Sequence, residues 1–506
     1  MMHKHSASEG FSIVAVLTFM VVFTVISIGV LQMIVTTVGS TARARASETA
    51  FQLADAGINY YLWHLNHNNT DLKDGQTWPS SQGVYGYGPY THTYKDSSGK
   101  TIGSFTLWIK PGTVGSTIAT VRSIGTSNGV NAVKRTIEAR IGAPSFSTYA
   151  VAGNTALWFG NTESANGPVH SNVGVKMDGS NSDIVTSAGS TYTVPTWSGN
   201  GAGSTKAGVW CDATVTSPVS CTTRNKTSWQ YPVTAVDFNK IVADLCQIKK
   251  LAINDTSATA CNNRPARTAG YIPAISTTFS LTAGYLISLN DNNTYNLEKV
   301  TNERDTRSPY SSALTRTVVA TNIPVPANNI IFVEDNVWVR TAGPAGFNGR
   351  VTIASARLAV SGDTTATIAG PIKYADKYSG ANSIGIVAEN NIEVAPYVGA
   401  PVEINAALIA KSGGVGIRQT YRETGGWVTG YANSNQGLTF FGSLASNQLW
   451  TWSVMLCGTA TNANCWAGYR YTNTIYDENL RYSPPPYFPV TSTFDIVSWR
   501  EVLTTP

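Results

Sequence analysis

The stretch that decides the fold is FSIVAVLTFMVVFTVISIGVLQMIVTTV, residues 11–38, close to the start of the chain. No charged residue occurs from Phe11 to Ala42, so the run is long enough to cross a bilayer as a helix. A secretory signal peptide would have a shorter apolar core, followed by a small-residue cleavage site. The sequence therefore predicts one long helix over residues 11–66, and the first half of that helix is predicted to lie in a membrane.

The short polar leader MMHKHSASEG, residues 1–10, meets this helix at Glu9-Gly10-Phe11-Ser12. The junction resembles the cleavage site of prepilins, the precursors of type IV pilus subunits, which a prepilin peptidase cuts after Gly at the cytoplasmic face. This resemblance implies that Gly10 is the last leader residue and that Phe11 becomes the methylated N-terminus. On hydropathy alone, an uncut N-terminal anchor is the alternative.

After the apolar run the chain continues as an amphipathic helix. Residues 47–58, SETAFQLADAGI, resemble the A-x-x-L-A-E-A-G-I helix of PilX-type minor pilins, with Asp55 where that family often has Glu. Apolar residues at three- and four-residue steps share one face of this helix, and that face needs a partner. These residues are Phe51, Ala54, Ile58, Leu62 and Leu65.

Three strand-like stretches downstream can supply the partner: residues 103–110, 118–126 and 131–142. In the last of them apolar and polar residues alternate, which buries one face of a sheet. We therefore expect an α+β fold in which the long helix lies on a small antiparallel sheet, residues 67–143. The resemblance to pilins implies the same architecture.

Two features depart from the pilin pattern. Major pilins carry Glu five residues into the mature chain, where this sequence has Ala15, so the usual carboxylate partner for a neighbouring subunit's amino terminus is missing. That absence is typical of minor subunits at a filament tip, and it predicts a tip position. The positive-inside rule does not support an external C-terminal side, because Arg43 and Arg45 outnumber Lys4. We keep that orientation because a large, cysteine-containing domain follows.

The rest of the chain has the composition of a β-rich extracellular protein. Charged residues make up 13% of the sequence and the net charge of +5 is spread along it, so no nucleic-acid partner is predicted. From residue 144 short apolar alternations end at Gly or Asn, as in IGIVAENNIEVA, residues 384–395. This pattern is typical of stacked rungs, and residues 144–446 are predicted to form a right-handed parallel β-helix. A β-sandwich is the alternative.

Three segments interrupt or follow this β pattern. Residues 234–252 have a helical apolar face, and residues 253–325 are predicted to be a loop-rich insert. Residues 447–506 are a tail rich in Pro and aromatic residues, in which the Pro run 483–489 must be extended. We expect the tail to cap the β-helix and to end with Trp499 over an open edge. Binding of the Pro run to an aromatic groove of a partner is the alternative.

All six cysteines lie beyond residue 210 and fall into pairs that are close in sequence. The pairs are Cys211 with Cys221, Cys246 with Cys261, and Cys457 with Cys465. No CxxC motif occurs, and no His lies beside a pair as a zinc site would require. Disulfides formed in an oxidising compartment are therefore predicted, and buried free thiols are the alternative.

Few residues suggest chemistry. His64 and His67 lie beside Asn at the end of the helix, which favours solvated side chains over a metal site. Residues 291–293, Asp-Asn-Asn, lack EF-hand spacing, which favours a plain turn over a calcium site. A lyase or hydrolase site could be imagined only from three separated carboxylates: Asp178, Asp183 and Asp363. No catalytic residue, metal or cofactor is predicted, and we do not expect an enzyme.

The N-terminal motifs, and a resemblance of residues 384–489 to the C-terminal half of large pilus-associated proteins, imply a minor structural subunit of a type IV pilus. Its implied partners are other pilin subunits, through the helix, and the prepilin peptidase. It would span the inner membrane once before assembly and would then be extracellular, where its large domain would contact a surface or a glycan. The alternatives are a pseudopilin of a secretion filament and a membrane-anchored β-helix polysaccharide lyase or hydrolase.

Overall fold

The computed structural model of the chain describes residues 9–68, 71–112, 116–129, 132–143, 145–215, 220–224, 226–238, 240–303, 314–418, 422–423, 426–427, 437–455, 466–489 and 494–503. The chain divides into two compact units. The small unit consists of Met1–Pro111, Ala119–Gly142 and Phe494–Pro506. The large unit consists of Gly112–Ile118 and Ala143–Thr493.

The small unit is a long helix on an antiparallel sheet. Helix α1 spans Glu9–His67. The strands are β1 Tyr87–Lys95, β2 Thr101–Pro111, β3 Ile118–Ser127, β4 Lys134–Gly142 and β34 Asp495–Val502. They lie in the order β1-β2-β3-β4-β34, and the pairs β1/β2, β2/β3 and β4/β34 are antiparallel. Strand β1 is not predicted from the sequence, because its residues, which are rich in Tyr and Thr, show no apolar alternation.

The second half of α1 packs on this sheet through the face that the sequence predicts. Ala54, Ile58 and Leu65 are fully buried, while Phe51 and Leu62 are half-buried. The sheet contributes a matching set of buried residues to the same cluster: Tyr90, Phe105, Leu107, Ile109, Ala119, Val121, Ile137, Ala139 and Ile141. The packing of a helix stripe against one sheet face gives the small unit its core.

Small residues set the distance between α1 and β3. A Cβ atom on Gly125 of β3 would lie 2.0 Å from the Ala50 carbonyl oxygen and 2.4 Å from the Ala54 amide nitrogen. On the helix side, a Cβ atom on Gly57 would lie 2.2 Å from Ser123 Oγ. No side chain fits into gaps this small, so glycine at both positions allows the backbones to approach closely.

The C-terminal strand β34 completes the small sheet and corrects the prediction of a capping tail. Its pairing with β4 runs from Asp495 opposite Gly142 to Val502 opposite Thr136. Trp499 packs edge-on against Phe51 of α1, with 5.8 Å between ring centroids. Trp499 therefore belongs to the small unit. The prediction was wrong because a sequence pattern does not reveal which distant strand a C-terminal segment pairs with.

The large unit holds helix α2, Lys240–Ile253, and short 3-10 helices at Phe146–Thr148, Ala260–Asn262 and Glu478–Arg481. Its strands are β5 Val151–Gly153, β6 Leu157–Phe159, β7 Glu163–Asn166, β8 Val169–Ser171, β9 Val175–Met177, β10 Ser180–Asn181, β11 Val185–Ser187, β12 Thr191–Thr193, β13 Thr205–Ala207, β14 Val209–Trp210, β15 Trp229–Gln230, β16 Tyr271–Ile272, β17 Gly284–Leu289, β18 Thr294–Glu303, β19 Leu314–Pro324, β20 Ile330–Val333, β21 Asn336–Thr341, β22 Arg350–Ser355, β23 Ala366–Ile368, β24 Ser383–Ala388, β25 Ile392–Val394, β26 Val402–Ala410, β27 Val415–Ile417, β28 Arg422–Glu423, β29 Gly426–Trp427, β30 Leu438–Ser446, β31 Ser453–Met455, β32 Trp466–Gly468 and β33 Thr472–Tyr476.

Parallel pairing dominates the large unit. The first sheet has the order β15-β11-β8-β5-β30-β26-β24-β22-β20-β16, with β33, β7 and β10 branching from β30, and its pairs are parallel. The second has the order β19-β18-β17-β21-β23-β25-β27 and is parallel from β17 onward. A third is β14-β9-β6, and β12-β13, β28-β29 and β31-β32 are two-stranded.

Successive parallel strands place apolar side chains in register. One fully buried row crosses the first sheet: Ile331, Ile353, Ile386, Leu408, Leu444, Val151, Val169 and Val185. A second row crosses the other sheet: Ile287, Val339, Ile368, Val394 and Ile417. Both rows belong to one buried cluster. Burial of each aliphatic side chain contributes roughly 1.5–3 kcal/mol to the stability of the folded state.

A long N-terminal helix followed by a mainly-β region confirms the predicted α+β class. The parallel pairs differ from the antiparallel sheets of a sandwich, whereas a closed right-handed β-helix stays a prediction. The proposed loop-rich insert, residues 253–325, instead contains β16 to β19, and the Thr- and Asn-rich sequences of β18 and β19 concealed them. Helix α2 begins at Lys240, later than the predicted residue 234.

Replacing Gly125 by Ala is expected to destabilise the small unit by about 2–3 kcal/mol, because the added methyl group would push α1 away from β3. Hydrogen exchange of peptides from β2 to β4, measured on the detergent-solubilised chain in rising denaturant, reports this change. Gly39→Ala is the matched control, since no atom lies within 4 Å of a Cβ there. Equal protection in the two variants would contradict the packing described.

Candidate functional site

The first half of α1 is an exposed apolar surface. Every large apolar side chain from Ile13 to Val38 is more than half exposed, and Phe19 reaches 75%. The helix contains an 18-residue window of mean hydropathy 2.7, so it is long and apolar enough to cross a membrane. Burying apolar surface is worth about 25 cal/mol per Å². Such a surface fits lipid, or the apolar helices of other subunits.

The threonine hydroxyl groups within this surface are already hydrogen-bonded to the helix backbone. Thr18 Oγ1 donates to the Val14 carbonyl at 2.9 Å, and Thr24 Oγ1 donates to the Met20 carbonyl at 2.7 Å. Toward the end of the apolar run, Thr36, Thr37, Ser40 and Thr41 donate to carbonyls three or four residues earlier in the same way. These side chains therefore enter an apolar environment without leaving a donor unsatisfied.

The predicted cleavage residues lie at the beginning of this helix. Gly10 and Phe11 belong to the first turn of α1, which begins at Glu9. Leader removal and methylation of Phe11 stay predictions. Ala15 is exposed on the same helix and offers no carboxylate to a neighbouring amino terminus.

His64 and His67 are engaged separately. His64 Nε2 lies 2.9 Å from Asp71 Oδ2, and His67 Nδ1 lies 2.8 Å from the Trp63 carbonyl oxygen. Desolvation acts to raise the pKa of Asp71, but hydrogen bonds from backbone amides and from His64 outweigh it and hold that pKa below its usual value. Across the described ranges, no group of three or more His, Cys, Asp or Glu side chains could hold a metal ion.

The three carboxylates considered for a lyase or hydrolase site have different environments. Asp178 is buried, lies 3.3 Å from Lys176 Nζ, and accepts a hydrogen bond from Trp158 Nε1 at 2.9 Å. Asp183 is exposed and accepts from the amide of the next residue. Asp363 is exposed in the segment before β23. The ion pair with Lys176 gives Asp178 a structural role, unlike a facing carboxylate pair of a glycosidase.

Two other sequence features have structural roles. Residues 291–293 form the turn between β17 and β18, where Asn293 has a φ of 56° and Thr294 Oγ1 donates to Asn292 Oδ1. Residues 125–129, GTSNG, match the G-x-S-x-G pattern of hydrolases. Ser127 is 3% exposed at the end of β3, and its Oγ accepts from the Val133 amide at 2.9 Å. A hydrolase nucleophile would lie at an exposed strand-to-helix turn.

The structure confirms local disulfide pairing for the cysteines that it describes. Cys211 pairs with Cys221, with 5.7 Å between Cα atoms, and Cys246 pairs with Cys261, with 5.4 Å. The latter disulfide links α2 to the following 3-10 helix. The third predicted pair, Cys457 with Cys465, lies outside the described residues.

Buried ion pairs in the large unit went unrecognised in the sequence. Lys249 of α2 and Glu334 are both fully buried, with 2.6 Å between Nζ and Oε1. Arg418 lies 2.7 Å from Glu303 and 2.9 Å from Glu393. The partners are far apart in the chain, so no local spacing could have indicated them. Removing one member of such a pair would leave a buried charge, which costs several kcal/mol.

No protein-family model and no curated protein matches this chain. A solved structure with some likeness to it is that of the competence-associated pilin ComZ from Thermus thermophilus. The alignment covers 90% of this chain and 98% of that chain, at 12% sequence identity and a TM-score of 0.26. A score this low carries no argument.

One buried carboxyl group makes the stability of the large unit sensitive to pH. Glu163 of β7 is 8% exposed, and its Oε2 accepts from the Gly160 amide at 2.6 Å. Burial raises the pKa of Glu163 to about 7. The folded state holds this proton more tightly than the unfolded chain. Glu163 therefore makes its full contribution to the free energy of unfolding below the ordinary pKa of Glu, and that contribution is lost as pH rises through 7.

Glu163→Gln should therefore be more stable than the wild type at pH 8, by roughly 3 kcal/mol, and equally stable near pH 4. Gln keeps an oxygen for the Gly160 amide and does not ionise. Urea unfolding from pH 4 to 8 measures the difference, with the exposed Glu478→Gln as control. Parallel pH profiles for wild type and Glu163→Gln would contradict the shifted pKa.

Proposed function

We propose that this protein is a minor, pilin-like structural subunit of a type IV pilus. The observation that carries the proposal is α1, one continuous helix with an exposed, uncharged first half and a second half buried on a sheet. A monomer in water would rarely keep so large an apolar surface exposed. The first half anchors the precursor in the inner membrane and later packs against the helices of other pilin subunits.

The transfer from membrane to filament is chemically simple for this helix. Both environments are apolar, and the threonine hydroxyls already donate to their own backbone, as Thr18 and Thr24 do. These hydroxyl groups keep their partners when lipid is exchanged for neighbouring helices. Prepilin peptidase removes residues 1–10 beforehand, and methylated Phe11 becomes the first residue of the subunit.

The large unit is the part that the filament displays for adhesion or surface contact. We take its stacked parallel strands as rungs of a right-handed β-helix, supported by the aligned rows of buried aliphatic residues. The chain enters this unit after β4 and returns as β34, whose first residue, Asp495, pairs with Gly142 at the end of β4. The chain passes between the two units at Pro111/Gly112, Ile118/Ala119, Gly142/Ala143 and Thr493/Phe494, so the displayed unit is attached by more than a single linker.

The position that we propose within the filament is its tip. Ala15 cannot neutralise the amino terminus of an adjacent subunit, because its side chain has no carboxylate. A large unit that runs from Ala143 to Thr493 would also crowd its neighbours if it were repeated along a thin shaft. Both arguments favour one copy at an end.

Gly10→Leu is expected to prevent leader removal, because the peptidase must bring the backbone at this bond into its site and a bulky side chain would obstruct it. The precursor would stay in the membrane and be lost from filaments. Immunoblots of membrane and sheared-filament fractions measure both effects. Gly343→Leu is the control, since it places the same side chain at an open, exposed position of the large unit, away from α1. Filaments containing shortened Gly10→Leu protein would refute the proposal.

Immunogold labelling of sheared filaments with antibodies against the large unit tests the position. One label at a filament end is the expected result, because a subunit with Ala15 is expected to begin the helical array. The matched sample is a strain without the protein, which sets the background. Regular labelling along the shaft would exclude the tip position while leaving the pilin assignment intact.

A further inference from the structure

One tyrosine of the large unit has an unusual backbone conformation. Among the described residues, six other than glycine have positive φ, and five of them are Asp or Asn. Those two residue types tolerate the left-handed region, whereas a bulky aromatic residue there is strained. The sixth residue is Tyr487, with a φ of 54°. Strain of this kind persists where surrounding contacts impose it, and it is concentrated at functional sites.

The surrounding contacts are those of a Pro-rich segment, residues 483–489, which we call the proline strap. Its Pro484, Pro485, Pro486 and Phe488 are buried, whereas Tyr487 is 47% exposed. Arg350 Nη2 donates to the carbonyls of Ser483 and Pro484, at 3.0 and 2.5 Å, and Thr352 Oγ1 donates to that of Pro486. These bonds fix the strap before the tyrosine, and the buried Phe488 together with a bond from the Phe146 amide to the Pro489 carbonyl at 3.0 Å fixes it after the tyrosine. The Tyr487 ring is therefore held toward solvent.

A second exposed tyrosine belongs to a loop that the same arginine anchors. Arg350 Nη1 donates to the Gly380 carbonyl at 3.0 Å, and the neighbouring Tyr378 is 80% exposed. The Asp376 carboxylate accepts from the Tyr378 amide at 3.0 Å, which orders the loop. The Tyr378 ring touches Phe441 edge-on, at 5.8 Å between centroids. One guanidinium therefore places two exposed phenol rings on adjoining loops.

We infer that Tyr378 and Tyr487 form a binding surface for an uncharged polysaccharide. Rigid tyrosines supply large contact area at a low entropic cost, and aromatic faces attract the polarised C–H groups of sugar rings. The inference deepens the proposed surface contact by naming its ligand class. It rests on the proposed function only for the display of the large unit, and the binding itself is a property of the isolated chain.

The charges near the two tyrosines favour a neutral ligand. Arg350 donates to three carbonyl oxygens through Nη1 and Nη2. Lys377 and Lys373 both pair with the Glu403 carboxylate, and Asp376 is occupied by backbone amides. A nucleic acid or an anionic membrane would require cations that are available for phosphate groups. Sugar hydroxyls require only hydrogen-bonding groups and an apolar ring face.

The test is co-sedimentation of the purified, detergent-solubilised chain with insoluble cellulose, chitin and starch. We expect at least one of the three to retain the wild type. Tyr378→Ala and Tyr487→Ala should each weaken retention about five- to tenfold, and the double variant should lose it. Trp197→Ala is the matched control, because that ring is 45% exposed in the loop between β12 and β13. Wild type that binds none of the three, or equal losses in the control, would overturn the inference.

Tyr487→Gly separates a binding role from a structural one. Glycine adopts positive φ without strain, so the variant should unfold at a higher temperature while it binds polysaccharide as weakly as Tyr487→Ala. A tyrosine kept for packing would give the opposite result, with lower thermal stability and unchanged binding. Because the assay uses unassembled protein, its outcome is independent of whether Gly10→Leu blocks entry into filaments.

Discussion

The close contact between α1 and β3 is the constraint on which the small unit depends. At Gly125 the strand backbone approaches Ala50 and Ala54 so closely that a single methyl group would not fit. This contact buries one stripe of the helix, whereas the described residues of the chain leave the preceding apolar run exposed. A helix whose apolar surface is buried over only half of its length within its own subunit requires lipid or other subunits to cover the exposed half. The proposed assembly rests on that imbalance.

The pairing of β34 with β4 adds a second constraint. The polypeptide that leaves the small sheet at Gly142 returns to it at Asp495, so Ala143–Thr493, the main part of the large unit, is an insertion between two hydrogen-bonded strands. Inside the large unit, aligned aliphatic rows and buried pairs such as Lys249 with Glu334 connect residues that are far apart in sequence. These long-range contacts stabilise the unit that we propose the filament displays.

Local patterns in the sequence predicted what depends on neighbouring residues. The uncharged run from Phe11 identified α1, the spacing of Ala54 and Ile58 identified its buried face, and two short cysteine spacings gave the observed disulfides. Features that depend on distant partners were missed. The pairing of Trp499 with the small unit, the strands hidden in polar residues 253–325, and the left-handed Tyr487 on its anchored strap are not visible in any local window. The apolar pattern fixes which residues are buried, whereas pairing over hundreds of residues is decided by the tertiary fold.

We propose that α1 belongs to a processed, filament-forming subunit. Mass spectrometry of the N-terminal peptide of the protein isolated from the cell envelope tests it most directly. We expect a peptide that begins at Phe11 and carries one methyl group on its amino nitrogen, with residues 1–10 removed. A protein that keeps its leader, or whose N-terminus is cut elsewhere and unmethylated, would contradict the proposal of a pilin-like subunit.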